Sequence, residues 1–136
     1  MNKLTGKIVL IESSPHMSMV DIDVSGDVFS SIVLETPATA AYLKQGHDVT
    51  ILFKETEVSI AKNLTGMISL RNRFKATIAK IEKSDILSKI FLNYKGHAII
   101  SIISTRSTQK LGLSAGDEVE WLVKTNEVSL SGEKFK

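Results

Sequence analysis

The chain has 136 residues, a hydrophobic fraction of 43%, 17 basic against 15 acidic side chains and no cysteine. That length suffices for one ordinary domain or two very small ones with an apolar core, and the lack of thiols excludes a disulfide scaffold and any thiolate zinc or iron–sulfur site. The formal net charge of +2 comes from lysines scattered along the chain, without the basic run or stripe of a nucleic-acid surface.

Residues 1–15 contain only a four-residue apolar run, at 8–11, which is too short for the hydrophobic region of a secretory signal; a cytoplasmic location is expected. The longest apolar stretch, residues 98–103, is interrupted by Ser101 and falls far below the roughly 20 residues of a membrane-spanning helix. No membrane segment is expected.

Displacing the chain by about 70 residues superposes its halves without a gap. Ile8 falls on Ile78, Glu12 on Glu82, Gly26 on Gly96, Leu43 on Leu113, Gly46 on Gly116, Lys54 on Lys124, and Glu57-Val58-Ser59 on Glu127-Val128-Ser129. The chain therefore reads as a tandem duplication, with modules at residues 1–66 and 67–136.

In each half the apolar period is near two and β-branched residues are abundant, as in Lys7-Ile8-Val9-Leu10-Ile11 and Lys89-Ile90-Phe91-Leu92, which predicts strands. Ser25-Gly26-Asp27 and Lys95-Gly96-His97 supply the glycine that a tight hairpin needs for positive φ. Residues 36–43 and 105–111 are the helical candidates, each about two turns long and followed by Gly46 or Gly116. The predicted order is three strands, a short helix and two strands per repeat: an all-β chain of two tandem OB-like five-stranded barrels with one short helix each. Modules this small bury little surface alone and leave strand edges open, so association is expected.

His16, His47 and His97 fall in separate polar turns without metal-ligand spacing, and no carboxylates pair as a general acid and base would. Neither an enzyme nor a metal centre is expected. Hydrogen-bond donors concentrate in three places instead: Ser69-Leu70-Arg71-Asn72-Arg73 at the junction, the hydroxyl run Ser104-Thr105-Arg106-Ser107-Thr108 leading into the second helix, and Lys124 after an apolar strand, with Lys54 as its counterpart. Hydroxyls, N–H groups and a cation without carboxylates suit a compact tetrahedral dianion. The same residues also fit helix capping, a surface ion pair and a solvated strand edge.

Ser69-Leu70-Arg71-Asn72 opening a repeat, the block Leu111-Gly112-Leu113-Ser114-Ala115-Gly116-Asp117-Glu118-Val119 and the later Lys124 resemble the Mop/TOBE family. Its tandem form is called di-Mop or molbindin, and the resemblance spans essentially the whole chain. It implies OB-like barrels that exchange or share strands, an oligomer of which a homotrimer is favoured, and molybdate or tungstate sites at subunit or module interfaces. It implies no organic cofactor, and a role in storing, buffering or sensing molybdenum. Carried over, the oxyanion ligands are Ser69, Arg71, Ser104, Ser107 and Lys124, with Leu70 and Thr125 as flanking backbone donors.

The first repeat departs from this pattern. It opens Met1-Asn2 where the second has Arg71-Asn72, and Leu34 and Pro37 stand in place of Ser104 and Ser107. Only Lys54 persists there, serving a modified site or guarding a strand edge. Two other readings compete: a single-stranded nucleic-acid module, which needs exposed aromatics beside a basic groove, and a regulatory or interaction module associated with a transporter. Phe29, Phe53, Phe74, Phe91 and Trp121 lie in apolar strand patterns and are expected in the core.

Overall fold

The structure is a computed structural model and describes residues 1–132; the last four positions of the second expected module, residues 133–136, lie outside the described residues. The first half contributes β1 (Asn2–Ser13), β2 (Ser18–Val24), β3 (Asp27–Val33), β4 (Asp48–Phe53) and the short β5 (Ser59–Ala61). The second contributes β6 (Asn72–Lys83), β7 (Leu87–Tyr94), β8 (His97–Ser104), the helix α1 (Thr105–Lys110), β9 (Glu118–Val123) and β10 (Ser129–Ser131). Single 3-10 turns at Glu55–Glu57 and Thr125–Glu127 precede β5 and β10. Among the described residues no helix is long and apolar enough to cross a membrane.

Alternation of buried and exposed residues builds each strand. In β2, Ser18, Val20, Ile22 and Val24 are buried while the residues between them are only half-buried, the period-two pattern of a sheet with one face on a core. The long β1 pairs with β4 through Asn2 to Lys7 and with β2 from Lys7 onward, with a bulge between Ile8 and Leu10. β6 does the same with β9 and β7, bulging between Ile78 and Lys80. Such bulges bend and twist a strand, which lets one strand serve both sides of a curled sheet. Where β1 turns, a Cβ on Gly6 would stand 2.5 Å from the Asp23 carbonyl oxygen, so no larger residue fits. Both hairpin turns have positive φ at their two central residues, Ser25 and Gly26 in one and Lys95 and Gly96 in the other, the mirror-image turn geometry suited to twisted strands.

The sheets do not divide at the repeat boundary. One sheet has the order β10-β4-β1-β2-β3 and the other β5-β9-β6-β7-β8, so each half gives its last strand to the other's sheet. A single core follows. Phe29 stacks on Phe74 with centroids 4.1 Å apart, Phe53 lies over Trp121 at 5.5 Å, and Tyr94 meets Trp121 edge-on at 5.2 Å. Four of the five aromatics expected in the core are buried there; Phe91 is half-buried beneath the Lys80 ammonium.

β3 and β8 each form one outer edge of their sheet, and groups from the other half cover these edges. Asn72 accepts from the Ser30 backbone N–H (2.7 Å) and donates to its carbonyl (2.8 Å), and Asn2 pairs in the same way with Ile100 (2.9 and 2.8 Å). Ser31 and Ser101 donate across the interface to the carbonyls of Val128 and Val58, both at 2.6 Å. These bonds satisfy backbone groups that an uncovered edge would present to another chain.

One sequence expectation fails. Residues 36–43 form turns, and α1 is the only α-helix among the described residues. In the second repeat the Ser104 hydroxyl caps the helix by accepting from the Ser107 N–H (3.1 Å). The first repeat has Leu34, which cannot cap, and Pro37, which has no N–H. Ala40 and Leu43 are nonetheless buried and anchor the segment.

Candidate functional site

Asn72 faces Val123 in the ladder between β6 and β9. Arg71 and Lys124 are the next residues outward, so the strand pairing brings both cations to one sheet end. Lys124 is exposed, stands immediately before the turn at Thr125–Glu127, and has no ion-pair partner among the described residues. Thr125 is half-buried in that turn, Ser69 is exposed and Leu70 half-buried in the segment leading to β6. The structure thus gathers Ser69, Leu70, Arg71, Lys124 and Thr125 into one neighbourhood.

Arg71 is held from the other half. Its Nε–H donates to Ser30 Oγ (2.7 Å), Ser30 Oγ–H donates to Asp21 Oδ1 (2.6 Å), and Arg71 Nη2 lies 3.5 Å from Asp21 Oδ2. The Arg71 side chain remains 57% exposed, while that of Asp21 is 13% exposed. A guanidinium carries five N–H donors, so most of this fork stays open to solvent and to an anion.

Arg73 has a different fate although only Asn72 separates it from Arg71. Its guanidinium binds Glu120 through Nε and Nη2 and donates to the Leu64 carbonyl (3.0 Å). This pairing lowers the Glu120 carboxyl below its ordinary range and raises Arg73. Arg73 is a clamp between the linker and β9, not an open donor.

Ser104 and Ser107 lie elsewhere. Ser104 pairs with Leu87 at the start of β7, whose Ser88 pairs with Lys83 at the far end of β6. β6 has 12 residues, so at about 3.3 Å per residue the two groups are separated by on the order of 35 Å along that strand. Ser104 donates to Ser107 Oγ (2.9 Å) while capping α1, and Arg106 is exposed. One chain therefore does not unite the two donor groups. The Ser104 end of β8 instead belongs to the side where Asn2 and the Val58 carbonyl meet β8.

The first-half counterpart of the Arg71 neighbourhood is chemically different. At the same offset Met1 replaces Arg71 and Glu55 replaces Thr125. Lys54 lines a surface cavity of about 240 Å³ together with Glu57, Asn126, Glu127 and Ser129. Glu127 follows Lys124 as Glu57 follows Lys54, so the carboxylate particular to this half is Glu55, which meets the N-terminal ammonium at 2.9 Å and opposes a dianion where the second half has Thr125. Ser30 and Asp21 escaped identification from sequence, because Ser30 meets Arg71 across 41 positions of chain and Asp21 lies still further from it. The only local hint was the hydrogen-bonding amide beside Arg71.

Two curled, strand-sharing five-stranded sheets with open cations at the strand ends define a tandem OB-like fold. Residues 68–130 match the TOBE domain family. That match covers the second repeat. The fold superposes with a TM-score of 0.88 on the cytoplasmic molybdate-binding protein ModG crystallised with molybdate, at 23% identity and covering 95% of this chain and 94% of that one. The molybdenum import ATP-binding protein ModC of Brucella abortus (strain 2308) is 33% identical over 107 residues, 78% of this chain and 28% of ModC. The molybdenum transport protein ModE of Herbaspirillum seropedicae is 25% identical over 118 residues, 85% of this chain and 44% of ModE. The chain thus spans less than half the length of either curated relative.

Proposed function

We propose that this chain binds a compact tetrahedral dianion, molybdate or tungstate, reversibly and without changing it. The observation that carries this reading is the placement of the open Arg71 guanidinium and the Lys124 ammonium, which has no ion-pair partner among the described residues, on adjacent strand ends, with Ser69 and Thr125 beside them. Such a site replaces the water shell of the anion by fixed donors, and the cations offset the cost of desolvation. The names of ModG, ModC and ModE, all concerned with molybdate or molybdenum, support this choice of anion.

The donors of Ser104 and Ser107 complete the set only when a second copy brings its β8 end to the Arg71 neighbourhood. That geometry favours an oligomer, with a homotrimer as the working assembly and the anion at the subunit interface. The role is storage, buffering or sensing of molybdenum in the cytoplasm, with no chemical step. In this reading molybdenum is bound as its oxyanion, through hydrogen-bond donors and cations and not through metal–ligand bonds.

The test is thermal unfolding with molybdate, tungstate, sulfate and phosphate at matched ionic strength. Ligand at 100 times its dissociation constant adds about 2.7 kcal/mol. A raised midpoint with molybdate and tungstate is expected. Equal midpoints in all four anions would overturn the reading and leave a regulatory or interaction module.

A further inference from the structure

The two halves differ at one polar set in a way that repeat symmetry alone does not require. Around Arg71 stand Ser30 and Asp21; the sequence counterparts of these three residues in the other repeat are Met1, Ile100 and Phe91. All three polar residues of the set are thus replaced by apolar ones at their counterpart positions. We infer that Asp21 and Ser30, in the half that lacks the oxyanion motif, are positioning residues for Arg71, and that they set the affinity of its site. The inference rests on the oxyanion reading above.

The hydrogen-bond inventory shows how they act. The Ser30 hydroxyl has one proton, which it gives to Asp21, so its lone pairs are left to accept from Arg71 Nε. Asp21 Oδ2 then steers Nη2. With Nε and one edge of Nη2 occupied, Nη1 and the rest of Nη2 are left for an anion beside Lys124. The Ser30 backbone is itself fixed by Asn72, so the fork hangs on a rigid strand. Preorganisation of this kind removes ordering cost from the binding step. The Asp21 carboxylate also repels a bound dianion, so its hydrogen-bonding geometry and its charge act in opposite directions.

The experiment is calorimetric titration of molybdate into the full chain, the variants Asp21→Ala, Asp21→Asn and Arg71→Ala, and the double variant of Asp21→Ala with Arg71→Ala. Unfolding midpoints without ligand serve as a control for folding. Asp21→Ala is expected to weaken binding by about tenfold, the size of coupling common between contacting polar residues. Asp21→Asn, which keeps an acceptor and loses the charge, is expected to bind at least as tightly as the unsubstituted protein. In the Arg71→Ala background Asp21→Ala is expected to cause no further loss, because only the repulsion by the carboxylate is then left to remove. Unchanged affinity in Asp21→Ala, or an equal loss with and without Arg71, would overturn the positioning role while leaving molybdate binding intact. No binding by the unsubstituted protein would overturn the oxyanion reading and this inference with it.

Discussion

The side-chain amide of Asn72 bonds both backbone groups of Ser30, at 2.7 and 2.8 Å, and so adds one rung of sheet pairing to the outer edge of β3. Asn72 is fully buried, and its removal strands a backbone N–H and a carbonyl away from water. Asn72→Ala is expected to cost about 2 to 4 kcal/mol of unfolding free energy, since each orphaned group contributes on the order of 1 to 3 kcal/mol. Urea denaturation checks this. A loss below about 1 kcal/mol would show that the amide clamp is dispensable.

The exchanged strands and the shared aromatic core make the halves interdependent. Trp121 is the only tryptophan and touches rings from both halves, Phe29 and Phe53 as well as Phe74 and Tyr94. Its fluorescence and far-UV circular dichroism are expected to report one coincident unfolding transition. Two separated transitions would mean that the halves unfold independently.

The two hairpins meet at Asp27, which accepts from the Tyr94 hydroxyl (2.6 Å) and from the Lys95 ammonium (3.0 Å). Burial works against the charged form, yet these donors outweigh it and hold the carboxyl below its ordinary value, while burial and Asp27 push the Tyr94 hydroxyl up. A carboxyl whose folded value lies below its unfolded one, about 3.9, stabilises the fold above that pH, and this contribution is lost as pH falls through the folded value. Asp27→Asn is therefore expected to lower the midpoint at neutral pH and to flatten its fall below about pH 4. Midpoints measured across pH 2 to 8 decide it; parallel curves for the two proteins would exclude Asp27 from the acid limb.

Lys124 and Lys54 occupy matching places but are expected to differ in function. Lys124→Ala removes an open cation beside Arg71 and is expected to weaken molybdate by at least about tenfold, as loss of a charge-assisted hydrogen bond does. Lys54 has Met1 and Glu55 where Lys124 has Arg71 and Thr125, and Lys54→Ala is expected to change affinity by less than about twofold. Equal losses in the two variants would show that both halves bind.

Much of the fold was legible because a period of two and a repeat are written into local residue order. The Gly26 and Gly96 hairpins and the strand positions follow from it. The failed helix at 36–43 was also readable in principle, since Leu34 and Pro37 remove the cap and an N–H that Ser104 and Ser107 supply. The strand exchange was not legible from the residues themselves: Ser59–Ala61 and Ser129–Ser131 are three residues each, and their composition fits either sheet. Only the family resemblance pointed to shared strands. At the candidate site, Arg71 and Lys124 were legible through a motif. Asp21 and Ser30 were not, because nothing near them in sequence shows that an arginine 41 positions later than Ser30 will dock there.

The most direct measurement of the central claim is the stoichiometry of molybdate binding, by equilibrium dialysis of the full chain and of Arg71→Ala. The account expects saturation at no more than one molybdate per chain, with Arg71→Ala binding at least about tenfold more weakly. No binding by the full chain, or two molybdates per chain with Arg71→Ala unaffected, would contradict it.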